Sequence, residues 1–183
     1  MSLLNVPAGK DLPNDFNVII EIPANGQPTK YELDKETGVL TVDRFMPTSM
    51  IYPANYGYVP STLCDDGDPA DVLVLTPSTV QAGSLIRCRA IGMLPMTDES
   101  GEDNKILAVP IDKVCAEYVH IRELSDISDI VLKRIQHFFN RYKELEPSKW
   151  VKVGDWKERP EAEAELVASV KNYQSEAASS EIV

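Results

Sequence analysis

Over most of the chain, hydrophobic and polar positions alternate in short runs, and the rhythm lengthens in the last third. Phe16 to Ile22 reads as a strand that stops at Pro23. Lys30-Tyr31-Glu32-Leu33 sets Lys30 and Glu32 on one face and Tyr31 and Leu33 on the other, because successive strand side chains point to opposite sides. Asp34 to Gly38 fits a hairpin connection, Val39 to Val42 supplies the return strand, and Arg44 sits at that strand's end. Further strands are predicted over Val72 to Leu75, Leu85 to Met93 and Ile106 to Val109. Between Pro47 and Pro60, the density of Pro, Gly and Tyr excludes a helix. This segment instead carries Tyr52, Tyr56 and Tyr58 toward the loop that follows.

After Pro110, apolar residues recur at three- and four-residue steps: Ile127, Val131, Ile135, Phe138 and Tyr142. That spacing predicts an amphipathic helix, capped by Ser125 or Asp126. A second helix is predicted from Pro160, with Leu166, Val167, Val170 and Tyr173 as its apolar stripe. A frayed tail is expected from Gln174 to Val183. Many short strands followed by two helices imply an α+β fold, mainly β, in which a small barrel is flanked by helices. Residues 1–183 are read as a single domain, since no linker or repeat interrupts them.

The formal charge of −11 disfavours nucleic acid or an anionic membrane as partner, because both reward clustered Lys and Arg. Cys64, Cys88 and Cys115 are odd in number and lack metal-ligand spacing, which argues against a disulfide framework. The start of the chain has no signal-peptide design, and no run reaches membrane-spanning length. A cytoplasmic protein is expected.

Candidate chemistry concentrates in two acidic loops. Asp66, Asp68 and Asp71 crowd together around the turn formers Gly67 and Pro69. Carboxylates that close repel one another unless cations or protons neutralise them, and three at this spacing suggest a hard-metal site. The second loop carries Asp98, Glu99, Glu102 and Asp103, with Gly101 allowing the chain to double back. All these donors are oxygens, and neither His120 nor His137 lies near them in sequence, which favours Mg²⁺ or Mn²⁺ over zinc. An EF-hand fails on counting from Asp66: Ala70, Asp71 and Pro77 occupy positions where that loop needs a ligand, a Gly and a Glu. If the two loops converge, several metal ions could promote phosphoryl transfer to water. Lys30, Arg44, Lys105 and Lys143, with the hydroxyls of Tyr56 and Tyr142, would then bind phosphate.

Each feature alone has a plainer reading: a solvated turn, a Lys30–Glu32 surface pair, a core Tyr142, exposed lysines. Three other functions fit parts of the pattern. Asp66-Gly67-Asp68 suits a metal-dependent glycosyltransferase, but no Gly-rich loop opens a helix. A calcium-binding module explains the acidic loops but not the Lys, Arg and Tyr positions. An OB-type nucleic-acid binder conflicts with the charge.

Asp66-Gly67-Asp68-Pro69-Ala70-Asp71-Val72 resembles the signature of the soluble family I inorganic pyrophosphatases. Val18 to Pro23, Lys30-Tyr31-Glu32, Val42-Asp43-Arg44, Tyr52-Pro53, Asn55 to Tyr58, Met96 to Asp103 and Lys149 to Val153 match in order, as in the short bacterial type. The resemblance implies a five-stranded OB-like barrel with flanking α-helices and hydrolysis of pyrophosphate to two phosphates with Mg²⁺. It implies Asp66, Asp71, Asp98 and Asp103 as metal ligands and Asp68 as general base. Lys30, Arg44, Tyr56, Lys105, Tyr142 and Lys143 match phosphate-binding positions, and Glu21 and Glu32 would line the cavity. A homohexamer is implied too. Ala70 and Asp65 depart from the family pattern, which usually has a larger aliphatic residue and an uncharged one there.

Overall fold

The computed structural model describes residues 6–34 and 36–180. Twelve strands are assigned in it: β1 Gly9–Asp11, β2 Asp15–Ile22, β3 Thr29–Leu33, β4 Leu40–Phe45, β5 Asn55–Tyr58, β6 Asp71–Val74, β7 Leu85–Leu94, β8 Met96–Asp98, β9 Gly101–Glu102, β10 Lys105–Pro110, β11 Val151–Val153 and β12 Lys157–Glu158. Helices α1 Asp129–Arg141 and α2 Arg159–Ser180 follow the barrel strands. Strands β2, β5, β6, β10 and β7 pair in that order, and β2 pairs back onto β7. The ring therefore closes as the five-stranded barrel expected from the sequence. Closure removes the exposed edges that an open sheet of such apolar strands would present.

Both faces of the barrel strands are buried. One face contributes Phe16, Val18, Val72, Val74, Ile106 and Ala108 to a cluster that Ala162 and Leu166 of α2 complete. The opposite face places Leu73, Ile91 and Leu107 under Ile135, Phe138 and Phe139 of α1. Around them Tyr52 lies 4.6 Å from Phe138, and Phe138 stacks on Tyr142 at 5.2 Å, both between ring centroids. Offset and edge contacts of this kind add to the burial of the rings.

Register shifts aim two acidic side chains. Ile20 pairs with Gly57 but Ile22 pairs with Tyr56, leaving Glu21 as an extra residue in β2. Lys30 pairs with Arg44 but Tyr31 pairs with Val42, leaving Asp43 extra in β4. A bulge leaves its extra residue out of the ladder and redirects its side chain.

Several local expectations need correction. The first helix begins at Asp129 with Ser128 at its N-cap, not with Ser125 or Asp126. The Asp126 carboxylate instead accepts the Arg122 and Glu123 amides, closing the short 3₁₀ turn before the helix. The second acidic loop does double back as expected, and it does so as a small hairpin, with Thr97 opposite Glu102 and Asp98 opposite Gly101. On α2 the inward positions are Ala162, Leu166 and Ser169, whereas Tyr173 is 41% exposed, because the helix docks one notch round from its most apolar stripe. The helix continues to Ser180, where Ala177 and Ala178 are strong helix formers. Residues 181–183 of the expected loose tail lie outside the described residues.

The tightest backbone approach is at Gly57, where an added Cβ would sit 1.9 Å from the Ile19 carbonyl oxygen. The flanking β2–β5 pairing cannot yield without opening the barrel. Gly57→Ala is expected to destabilise the protein by about 3 kcal/mol or more, read by urea unfolding. A loss below about 1 kcal/mol would mean that the two strands can separate cheaply.

Candidate active site

The acidic loop is built from backbone hydrogen bonds. The Cys64 N–H donates to the Asp68 carbonyl at 2.8 Å, and the Cys64 carbonyl accepts the Gly67 N–H at 3.0 Å. Gly67 turns the chain with φ of +87°, a conformation that costs other residues. Asp66 Oδ1 accepts the Asp68 N–H at 2.9 Å, so the first carboxylate of the loop also shapes it. Beyond Pro69, Thr62 Oγ1 accepts the Ala70 N–H at 2.9 Å and donates to the Val59 carbonyl. Asp71 then opens β6, opposite Tyr58 on one neighbour and Lys105 on the other.

A parallel β6–β10 pair thus sets Asp71 and Lys105 side by side on one face. Lys105 is 2% exposed, and its Nζ contacts Asp71 Oδ2 at 2.5 Å and also Asp103 Oδ1. Burial alone would favour the neutral amine, but Asp71 and Asp103 outweigh it and hold the ammonium firmly protonated. Burial, with Asp71 adding to it, leaves Asp103 above the ordinary carboxylate range despite Lys105. Burial likewise raises Asp66. Lys143 Nζ contacts Asp98 Oδ2 at 2.7 Å. Burial would raise Asp98, yet Lys143 and the Ser100 amide bring it below its usual value.

On the β3–β4 hairpin, the bulged Asp43 bridges two cations: its Oδ2 lies 3.4 Å from Lys30 Nζ and 2.6 Å from Arg44 Nη1. Glu32 pairs Lys30 at 3.5 Å, and Glu146 holds Arg44 Nε at 3.2 Å. Bulged Glu21 reaches across to accept the Leu33 N–H at 2.8 Å, tying this hairpin to the barrel. Burial pushes the Glu21 carboxyl up to about 8, against that amide and with Asp71 and Glu32 adding to the rise. Burial keeps the Tyr56 and Tyr142 phenols neutral, hence able to donate.

One cavity of about 630 Å³ gathers these groups. It is lined by Asp66, Asp68, Asp71, Asp98 and Asp103, by Lys30, Arg44, Lys105 and Lys143, by Tyr56 and Tyr142, and by Glu21 and Glu32. Every metal, base and phosphate-binding candidate that the family resemblance implied is in it, whereas Glu102 of the second acidic loop is not. Tyr52, Glu99, Lys149 and Tyr173 line it as well. Tyr52 and Lys149 stand within the motifs quoted above, so a signal existed for them; Tyr173 sat in a helical stripe and carried none. Asp65 does not line this cavity but a smaller one, with Glu102, Asn104 and Glu165, that shares Asp66, Asp71 and Asp103 with the larger.

Among the described residues, no three His, Cys, Asp or Glu side chains are placed as they stand to hold a metal ion together. The donors nevertheless fit a hard divalent ion: they are all carboxylate oxygens, two of them drawn together by an ammonium between them. A divalent ion beside them would favour the ionised form of Asp103, which burial, with Asp71 adding to it, disfavours.

The structure is thus a closed five-stranded barrel whose cavity sets clustered carboxylates beside lysines and an arginine, a charge pattern that suits a small polyanion accompanied by cations. The inorganic pyrophosphatase family model matches residues 18–174. The chain is 60% identical to the inorganic pyrophosphatase of Escherichia coli (strain K12) over 169 residues, 92% of this chain and 96% of that one. Identity with the Ralstonia nicotianae enzyme of that name is 58%, covering 94% and 99%. The solved structure of an inorganic pyrophosphatase from Coxiella burnetii superposes with a TM-score of 0.89 at 61% identity, covering 92% of this chain and 99% of that chain. That from Thermus thermophilus gives 0.90 at 38% identity, covering 95% and 99%. The chain belongs to the family I inorganic pyrophosphatases, of the bacterial type.

Glu21 yields a pH test. Its folded value of about 8 lies above the ordinary 4.5, so the folded state binds the extra proton between those limits. Stability contributed by that proton is present below about pH 4.5 and lost as pH rises toward 8. Glu21→Gln removes the titration. In metal-free urea unfolding, the stability of E21Q relative to wild type should increase from pH 5 to pH 8 and level off above. A constant difference would place the Glu21 titration elsewhere.

Proposed function

We propose a division of labour in this cavity for the hydrolysis of inorganic pyrophosphate to two phosphates, the activity of the family. The chain is an inorganic diphosphatase, and its family is metal-dependent. The observation that carries the reading is the convergence of both acidic loops with Lys30, Arg44, Lys105 and Lys143 in one cavity. Asp66, Asp71, Asp98 and Asp103 are proposed to hold Mg²⁺, several ions per site, with Mn²⁺ as a substitute. Bound there, Mg²⁺ neutralises substrate oxygens and lowers the pKa of water.

The protein's own groups account for the rest. Lys30, Arg44 and Lys143, with the neutral Tyr56 and Tyr142 hydroxyls, orient the two phosphoryl groups by charge-assisted hydrogen bonds. Asp68 takes a proton from the attacking water as its oxygen bonds to phosphorus and the bridging P–O bond breaks. Exposure of Asp68 at the loop tip supports this role, since a base must meet water before substrate. Lys105 keeps Asp71 and Asp103 close, and Glu21 and Glu32 shape the cavity wall beside the hairpin cations.

The same reading proposes a homohexamer of a single-domain chain; Phe45 at 77% and Leu145 at 61% exposure support burial against other copies. A cytoplasmic setting is supported by three free cysteines. No helix among the described residues is long and apolar enough to cross a membrane.

Purified protein given pyrophosphate and Mg²⁺ should release phosphate, and no release would end the reading. Two variants separate the roles. Asp68→Asn should lower turnover by about 10²- to 10⁴-fold with Mg²⁺ affinity nearly intact by calorimetry. Asp71→Asn should instead weaken Mg²⁺ affinity about tenfold or more. Reversal of that pattern would exchange the two assignments.

A further inference from the structure

Both backbone polar groups of Leu63 are taken by α2. Its N–H donates to the Ser169 carbonyl at 2.9 Å, and its carbonyl accepts Asn172 Nδ2 at 3.3 Å. Its neighbour Cys64 spends both of its own on the acidic loop, through Asp68 and Gly67. Two consecutive residues therefore link one turn of α2 to the loop that carries Asp66 and Asp68. The same helix reaches the second loop, where Glu165 Oε1 accepts Asn104 Nδ2 at 3.5 Å and Asn104 Oδ1 accepts the Met96 N–H. Tyr173, the residue after Asn172, lines the large cavity.

We propose that α2 is the positioning element for the two carboxylate loops, and that Asn172 is its positioning side chain, acting through Leu63 and Cys64 on Asp66 and Asp68. The inference rests on the roles assigned above to those two carboxylates. Ser169 is buried at 2% exposure and fixes the helix side of the contact, while Asn172 is exposed and removable without disturbing the core. Without the amide donor, the Leu63 carbonyl turns to water, and the peptide that carries Cys64 is held at one end only. The loop then samples positions in which Asp66 is displaced from Asp71. Lys30 and Arg44 approach from the β3–β4 hairpin and Lys143 from beyond α1, so phosphate binding does not pass through this linkage.

The test compares Asn172→Ala with wild type, with Asn172→Gln as the conservative replacement and Gln174→Ala as a surface control on the same helix. The expected result for N172A is Mg²⁺ affinity weaker by roughly three- to tenfold in calorimetry without substrate, the size of one lost hydrogen bond. Amide exchange at Cys64 and Gly67 should be faster, kcat lower and the KM for pyrophosphate unchanged. N172Q should recover most of the affinity, and Q174A should match wild type. Wild-type Mg²⁺ affinity and amide exchange in N172A would overturn the proposal. So would a fall in kcat that tracks a lower melting temperature while metal affinity stays constant, because that is a purely structural effect. If instead wild type itself released no phosphate yet N172A weakened metal binding, the functional reading would fail while the linkage stood.

Discussion

A single buried ammonium organises this molecule. Lys105 opens β10 beside Asp71, which opens β6, and its Nζ lies between Asp71 and Asp103. An unpaired charge at this depth is costly, and so are two carboxylates pressed together. Each problem is the answer to the other. The arrangement depends on a parallel pair in an otherwise antiparallel barrel, since parallel register sets the two first residues of β6 and β10 abreast. Shifting β10 by one residue would send Lys105 to the opposite face and replace it with Ile106.

The same logic runs outward through the cavity. Asp43 and Glu146 hold Arg44, Asp43 and Glu32 hold Lys30, and Asp98 and Glu99 hold Lys143. Every one of these cations is engaged before substrate arrives. If these cations bind pyrophosphate as proposed, it must compete with carboxylates in a protein of formal charge −11, and as a bare polyanion it would be repelled. Accompanied by divalent ions it brings both signs of charge at once. On the proposed assignment, metal ions would take the carboxylates and phosphate oxygens the cations, so that existing ion pairs would be exchanged rather than new charges desolvated. The side chains are already oriented, and little rotamer freedom remains to be lost.

Much of this was legible in the sequence, and for physical reasons. Barrel strands betray themselves by alternation and bounding Pro residues, and the acidic loop by a density of carboxylates that no turn requires. Lys105 was legible as a phosphate-binding candidate, though its burial was not: a lysine next to an acidic stretch defaults to solvent, and the strand pairing that encloses it is long-range. Glu21 and Asp43 owe their direction to bulges, which local propensity does not mark. The second helix shows the limit most clearly. Of its apolar stripe Leu166 is core as expected, but Val167, Val170 and Tyr173 are not fully buried; docking instead chose Ala162 and Ser169 beside Leu166, two small residues that let the helix approach the barrel. Its contact with Leu63 joins residues more than a hundred positions apart and has no local signature.

The two departures from the family pattern gain a physical explanation from the way the loop is held. Its shape comes from the amide and carbonyl of Cys64, the Asp66 carboxylate and the Thr62 hydroxyl, none of which involves the side chain at 65 or 70. Ala70 is buried at 2% exposure, but its amide and carbonyl are both bonded, to Thr62 and Val59, and these fix the backbone whatever volume the side chain fills. Asp65 does not line the large cavity but a smaller one with Glu102 and Glu165, whose wall Asp66, Asp71 and Asp103 share. Its charge adds to the rise of Glu165, and it is not among the carboxylates that pair with Lys105. A loop defined by its backbone can accept a fourth acid, provided that acid points outward.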